Sequence, residues 1–241
     1  MSSLYSLKPR NASGSSVSAI APTTDPASGR VLLEDAEIQR LPPHEIAARG
    51  LARTFQHAEL FGDQTVLDNI LTGGYAHRHS TMLQDLFGTR AKQAAERQGE
   101  RDAALLLERF GLLPLRDRLA GDLAFGTLKK LDLIRALFAR PRVLMLDEPV
   151  SGMNQTEAFE TVAICRRIAA ASPPHRRRIA AELGVTLLIV EHNMQVIMGL
   201  ADWIFVLDHG EKIAEGTPTQ VQADPVVIEA YLGHGAAAAH A

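Results

Sequence analysis

The chain has 241 residues, 46% of them apolar and 22% charged, with a formal net charge of -3. That length suits one large domain, or a core with a smaller unit inserted, and the charge excludes the basic field that draws nucleic acid. The lone cysteine, Cys165, rules out an internal disulfide and fits a reducing compartment. Residues 1–18 lack the apolar run of a secretory leader, and stretches such as Val185–Val190 are too short to span a bilayer, so any membrane role must come through a partner.

Residues 11–29 are rich in Ser, Ala, Thr and Pro without helical or strand period and read as a mobile arm. Arg30–Leu33 reads as a short strand, Pro42–Arg49 as a short helix closed by Gly50, and Leu51–Gln56 as a strand. From Val66 to Leu119 the period is helical, with Gly111 as a stop. Val143–Leu146 and Val185–Val190 are continuous apolar strands, which predict an α/β fold with a parallel sheet covered on both faces. Between them, Pro173–Arg178 reads as a solvated loop rather than a basic docking patch. Trp203–Ala214 reads as a hairpin turning at Asp208–Glu211; Asp224 caps a last helix that Gly233 ends, and a disordered tail follows.

Chemistry concentrates at strand ends. Leu146-Asp147-Glu148-Pro149 puts two adjacent carboxylates at the C-terminal end of a buried parallel strand, the edge where open α/β sheets bind ligands. One can hold Mg²⁺ through its water shell, and the next can polarise an attacking water. Taken alone, this is also how a strand ending in two solvated acids looks. His192 follows the second buried strand at the same edge and can steady a terminal phosphate. Gln56 ends an earlier strand, where an amide can orient water or ligate a metal. Leu123-Ala124-Phe125-Gly126-Thr127 feeds a helix N-terminus, which offers N–H groups and a positive dipole end to phosphate, or is a plain turn and cap.

In order and spacing these pieces resemble the ATP-binding-cassette (ABC) transporter ATPases across residues 28–233. Thr54-Phe55-Gln56 is similar to the Q-loop, Leu123 to Thr127 stand where the family signature falls, and Leu146-Asp147-Glu148-Pro149 resembles Walker B with its catalytic glutamate. Ser151-Gly152-Met153-Asn154 matches the D-loop position, and Glu191-His192 the H-loop. The resemblance implies ATP and Mg²⁺ as cofactors. It gives Glu148 and His192 as catalytic residues, and Gln56 and Asp147 at the metal. Leu123, Ala124, Phe125, Gly126, Thr127, Ser151, Gly152, Met153 and Asn154 would lie at the nucleotide. Arg53 to Gln56, Glu191 to Gly199 and Asp224 to Gly233 look like the ATP-binding subunits of branched-chain amino acid importers; related amide or urea importers stay open.

The implied fold is a P-loop NTPase-like parallel sheet. Residues 29–56 and 132–233 would form its discontinuous core, 57–131 an inserted helical subdomain, 1–28 a disordered arm and 234–241 a disordered tail. The implied partners are a second ABC ATPase subunit, paired head to tail, and integral membrane permease subunits met through Glu59-Leu60-Phe61; nucleic acid is not among them. That places the chain in the cytoplasm, peripheral to the inner face of the membrane. Repair and chromosome-maintenance ATPases share these motifs, but no long heptad coiled coil is present.

The family departs from this sequence in one large respect. It carries a Gly-rich loop ending in Gly-Lys-Ser/Thr that cradles the phosphates, whereas none of Lys8, Lys92, Lys129, Lys130 and Lys212 follows a glycine. The expectation is a fold missing the N-terminal phosphate-loop strand and helix, with apolar sheet edge laid bare beside the Asp147 strand. Activity of the chain alone is then weak or nil, and the alternative is a catalytically silent scaffold or regulatory subunit that completes a partner's composite ATP site. Ala124 stands for the signature's Ser, Thr127 for its Gln, and Asn154 where Asp is common.

Overall fold

The computed structural model describes residues 3–6, 30–54, 59–74, 90–170 and 185–236. Its strands are β1 (Ser3–Ser6), β2 (Leu32–Leu33), β3 (Ala36–Glu37), β4 (Leu51–Arg53), β5 (Val143–Asp147), β6 (Thr186–Glu191), β7 (Ile204–Asp208) and β8 (Glu211–Gly216). Its helices are α1 (Pro43–Ala48), α2 (Val66–Gly73), α3 (Arg90–Arg109), α4 (Phe125–Phe138), α5 (Gln155–Ala170), α6 (Met194–Leu200), α7 (Pro218–Gln222) and α8 (Pro225–Ala236). Gln56, most of the arm, the Pro173–Arg178 loop and residues 237–241 lie outside the described residues.

The main sheet has the order β4-β5-β6-β1-β7-β8. β4, β5 and β6 run parallel, in register from Leu51↔Val143 and Val143↔Thr186. The centres of β5 and β6 are buried, as expected of strands covered on both faces. β7 and β8 form the expected hairpin.

β1 lies between β6 and β7 and runs antiparallel to both, from Leu4↔Glu191 and Ser3↔Leu207. Two expectations change here. Ser3–Ser6 fall inside the stretch read as an arm, yet they form a mid-sheet strand. The Asp147 strand also has no bare edge, because β4 and β6 flank it, and β1 covers the far side of β6. The physical reason is that main-chain N–H and C=O groups in a buried sheet require partners, and a short segment without side-chain period can supply them.

Over this sheet the core runs through Ile70, Leu107, Ile134, Leu144, Ile189 and Ile197, all fully buried or nearly so. α2, capped by Thr65 Oγ1 accepting from the Asp68 N–H at 3.1 Å, packs closely on α4. α4 continues across the boundary placed between 131 and 132, so one rigid rod joins the helical region to the core. α8 starts as expected, with Asp224 Oδ1 accepting from Val226 N–H at 2.9 Å. It runs through Gly233 to Ala236 instead of ending there, the glycine being tolerated at a modest cost. The small β2–β3 hairpin turns on Glu34 and Asp35, both at positive φ, and an ion pair from Glu34 to Arg142 ties it to the start of β5.

Candidate functional site

Asp147 is the last residue of β5, and the Arg53 Nη2 on the neighbouring strand lies 2.9 Å from its Oδ2. The Thr54 N–H continues the ladder by donating to the Met145 carbonyl at 2.9 Å. Glu148 then leaves the strand at φ 45°, a left-handed conformation unfavourable for a side chain that bears a Cβ. The proline that follows presses its predecessor towards extended conformations, so Glu148 must be held by its surroundings. Its N–H donates to the Val190 carbonyl at 2.9 Å. Its carbonyl accepts from Lys129 Nζ at 3.0 Å and from the Ser151 N–H at 3.1 Å.

Beyond β6, the Nδ1 of the exposed His192 lies 3.2 Å from Glu148 Oε1. The fully buried Glu191 carboxylate accepts from the backbone N–H groups of Val150, His192 and Asn193 at 3.4, 3.2 and 3.3 Å. It therefore clamps the turn after β5 to the turn after β6. Asn193 caps α6 by accepting from the Gln195 and Val196 N–H groups. Asp147, Glu148 and His192 thus meet at one sheet edge.

Leu123 to Thr127 form the entry to α4. Ala124 is its N-cap without a side-chain cap, and its carbonyl accepts from the N–H groups of Thr127 and Leu128. A Cβ at Gly126 would come within 2.9 Å of Glu157 Oε1 and displace the end of that side chain. Gly152, at φ 77°, would likewise bring a Cβ to 2.7 Å from the Phe125 ring. Asn154 and Glu157 cap α5 reciprocally: the Glu157 N–H donates to Asn154 Oδ1 at 3.0 Å, and the Asn154 N–H to Glu157 Oε2 at 3.1 Å. The Asn at that position is therefore an effective cap. Met153 accepts weakly at Sδ from the Thr161 hydroxyl, and Ser151 closes the turn on Glu148. The segments 123–127 and 151–154 pack on each other, and Lys129 connects them to the carboxylate edge.

Sequence reasoning gave no site role to Lys129, Arg53 and Glu191. Lys129 shares the inward stripe of α4 with Gly126, Leu133 and Leu137, a spacing of 3, 4 and 4 visible beforehand. Burial lowers its pKa, and the carboxylates of Glu148, Glu191, Asp132 and Asp147 oppose that shift. Asp132 is pushed upward by burial, against the nearby Arg135 guanidinium, which binds it at 2.6 Å. Thr54, Lys129, Asp132 and Asp147 line a cavity of about 10 Å³, room for about one water.

No group of three or more His, Cys, Asp and Glu side chains suited to a metal occurs among the described residues. Mg²⁺ keeps most of its waters and needs one or two protein carboxylates, so the partly exposed Asp147 side chain at the sheet edge fits it.

The chain is similar to known proteins in sequence and fold. Residues 10–151 match the family model "ABC transporter", and residues 211–237 match "Branched-chain amino acid ATP-binding cassette transporter". The chain is 38% identical over 208 residues to the high-affinity branched-chain amino acid transport ATP-binding protein BraF of Pseudomonas aeruginosa, covering 86% of this chain and 77% of that protein. Its identity to LivG of Escherichia coli, a protein of the same description, is 36% with the same coverage. Among solved structures, a nucleotide-free ATP-binding cassette from an ABC transporter superposes with a TM-score of 0.67 at 29% identity, covering 87% of this chain and 79% of that one. An ATP-binding cassette in its ADP conformation superposes at 0.65 and 29%, covering 86% and 78%.

Proposed function

The chain belongs to the ABC transporter family of ATP-binding proteins, and on that premise we propose that it is the ATP-binding subunit of a branched-chain amino acid importer. The observation that carries this is the meeting of Asp147, Glu148 and His192 at the ligand edge of the sheet, with His192 Nδ1 3.2 Å from Glu148 Oε1. Asp147 would hold Mg²⁺ beside the nucleotide phosphates, where the ion supplies positive charge. Glu148 takes the proton of the attacking water, and His192 steadies the carboxylate and the terminal phosphate. The likeness to BraF and LivG, both high-affinity branched-chain amino acid transport ATP-binding proteins, supports the transport role.

The phosphate cradle is the weak half of this site. No lysine of the chain follows a glycine. The strand β1, between β6 and β7, runs antiparallel to both, so its C-terminal end points away from the ligand edge. Turnover by the chain alone is therefore slight, and the signature, Leu123 to Thr127, serves nucleotide held by an intact second subunit. Gln56 would complete the metal and water shell.

Contact with the permease falls at Glu59 to Phe61. Asn69 braces this segment by accepting from the Phe61 N–H at 2.9 Å and donating to the Phe61 carbonyl at 3.0 Å, leaving the ring half exposed. No described helix is long and apolar enough to cross a membrane, so the permease would hold the chain at the inner membrane face.

Nucleotide titration and phosphate release, for the chain alone and mixed with an intact ATP-binding subunit, test the reading. Turnover confined to the mixture and lost with Glu148→Gln is expected. Robust turnover by the chain alone overturns the reading of the phosphate cradle. Stimulation of the partner that survives Glu148→Gln favours a silent subunit.

A further inference from the structure

Lys129 is a cation enclosed where cations are costly. It is 8% exposed, sits on the core-facing stripe of α4 and has the Phe125 ring 5.6 Å from its ammonium. Burial of an ammonium is tolerated only with strong partners, and Lys129 Nζ donates to a main-chain oxygen, the Glu148 carbonyl at 3.0 Å. That carbonyl belongs to the residue whose backbone is strained, a glutamate at φ 45° in front of a proline. Strained backbone persists only where its surroundings over-determine it.

We infer that Lys129 is a positioning residue for Glu148: its ammonium holds the Glu148 carbonyl, keeps that backbone at positive φ, and so keeps the carboxylate turned to His192. The inference rests on the reading of Glu148 as the water-activating carboxylate, but its structural half stands without it. Several contacts hold the peptide planes on either side of Glu148. The Val190 carbonyl takes its N–H, while Lys129 and the Ser151 N–H share its carbonyl. Of these, Lys129 is the one that brings charge, and a hydrogen bond to an ion is about twice as strong as a neutral one. Burial lowers the pKa of Lys129, and the carboxylates of Glu148, Glu191, Asp132 and Asp147 oppose that shift.

Hydrogen exchange of the full chain tests this without nucleotide. In Lys129→Met the Glu148 and Ser151 amides should exchange roughly tenfold to a hundredfold faster, the equivalent of losing a hydrogen bond to a charged group. Leu144 to Leu146 should keep their protection, and Lys129→Arg should restore the wild-type pattern. With an intact partner subunit, Lys129→Met should lower kcat and leave KM for ATP unchanged, and in the Glu148→Gln background Lys129→Met should add little further loss.

Unchanged exchange at Glu148 and Ser151 in a folded Lys129→Met protein overturns the inference, whatever turnover does. If Lys129→Met does not fold, Lys129→Arg decides alone. Wild-type protection at those amides upholds the inference, and selective loss there overturns it. Failure of the ATPase reading shows instead as no turnover with any partner, which leaves the exchange result intact.

Discussion

Arg53 and Asp147 face each other from neighbouring parallel strands, with the guanidinium Nη2 2.9 Å from the carboxylate Oδ2 and both side chains about 30% exposed. The acid proposed to hold Mg²⁺ is thus already paired with a fixed cation, and the two compete for one carboxylate. A half-exposed pair of this kind is worth about 1 kcal/mol, or roughly a fivefold factor in an equilibrium. Replacing Arg53 by Met should tighten Mn²⁺ binding by about that factor, read by paramagnetic resonance of the chain without nucleotide. Unchanged or weaker binding would show that the guanidinium is no competitor.

The packing of α2 on α4 makes one substitution change sign between two helices. Alanine for glycine inside a helix ordinarily stabilises by about 0.5–1 kcal/mol. At Gly199 in α6 nothing lies within 4 Å of an added Cβ, and Gly199→Ala should deliver that gain. At Gly73 the Cβ would stand 2.2 Å from the Arg135 carbonyl oxygen, so the helices must part. Overpacking of this kind costs about 1–3 kcal/mol, which outweighs the propensity, and Gly73→Ala should lower the urea midpoint. Two shifts of the same direction would refute the close approach.

Cys165 is fully buried, and burial pushes its thiol pKa up from 9.0 to about 12. The folded state therefore keeps the proton between pH 9 and 12 where the unfolded state loses it. The group's contribution is complete below pH 9 and falls by about 1.4 kcal/mol per pH unit above it. Because the chain has one cysteine, alkylation reports this cleanly. The folded protein should resist a thiol reagent at pH 8, and Cys165→Ala should flatten the loss of stability above pH 9. Rapid labelling of the folded chain would contradict the burial.

How much of this was readable beforehand depends on how local the cause is. Asp147 and His192 end apolar runs whose strand character needs no tertiary information, so their common edge followed from pattern alone. The caps at Thr65 and Asp224 are equally local. β1 was not readable, since Ser3–Ser6 carry no strand period and owe their place to the two main-chain edges they join. The strain at Glu148 was hidden too, because its fixing groups come from α4 and β6, distant in sequence. Lys129 stood on the apolar stripe of α4 all along; what could not be seen was that the stripe faces a strained carbonyl rather than a plain core.

The β7–β8 hairpin turns on His209 at φ 48° and Gly210 at φ 87°, with Asp208 and Glu211 paired on either side. A two-residue turn with both central residues at positive φ prefers Asn-Gly, because asparagine tolerates the left-handed region better than other side chains that bear a Cβ. His209 gives up little in exchange. Its ion pair with Asp208, at 3.1 Å, is carried by a side chain 74% exposed and adds at most a few tenths of a kcal/mol. His209→Asn should therefore stabilise by about 0.5 kcal/mol, a rise in Tm of about 1–2 °C for a chain of this size. His209→Val should destabilise by about 1–2 kcal/mol, since a β-branched side chain is the poorest fit to that backbone. Trp203, the sole tryptophan, immediately precedes β7 and supplies the fluorescence probe for both melts. A stabilised valine variant would show that the turn is not left-handed at His209.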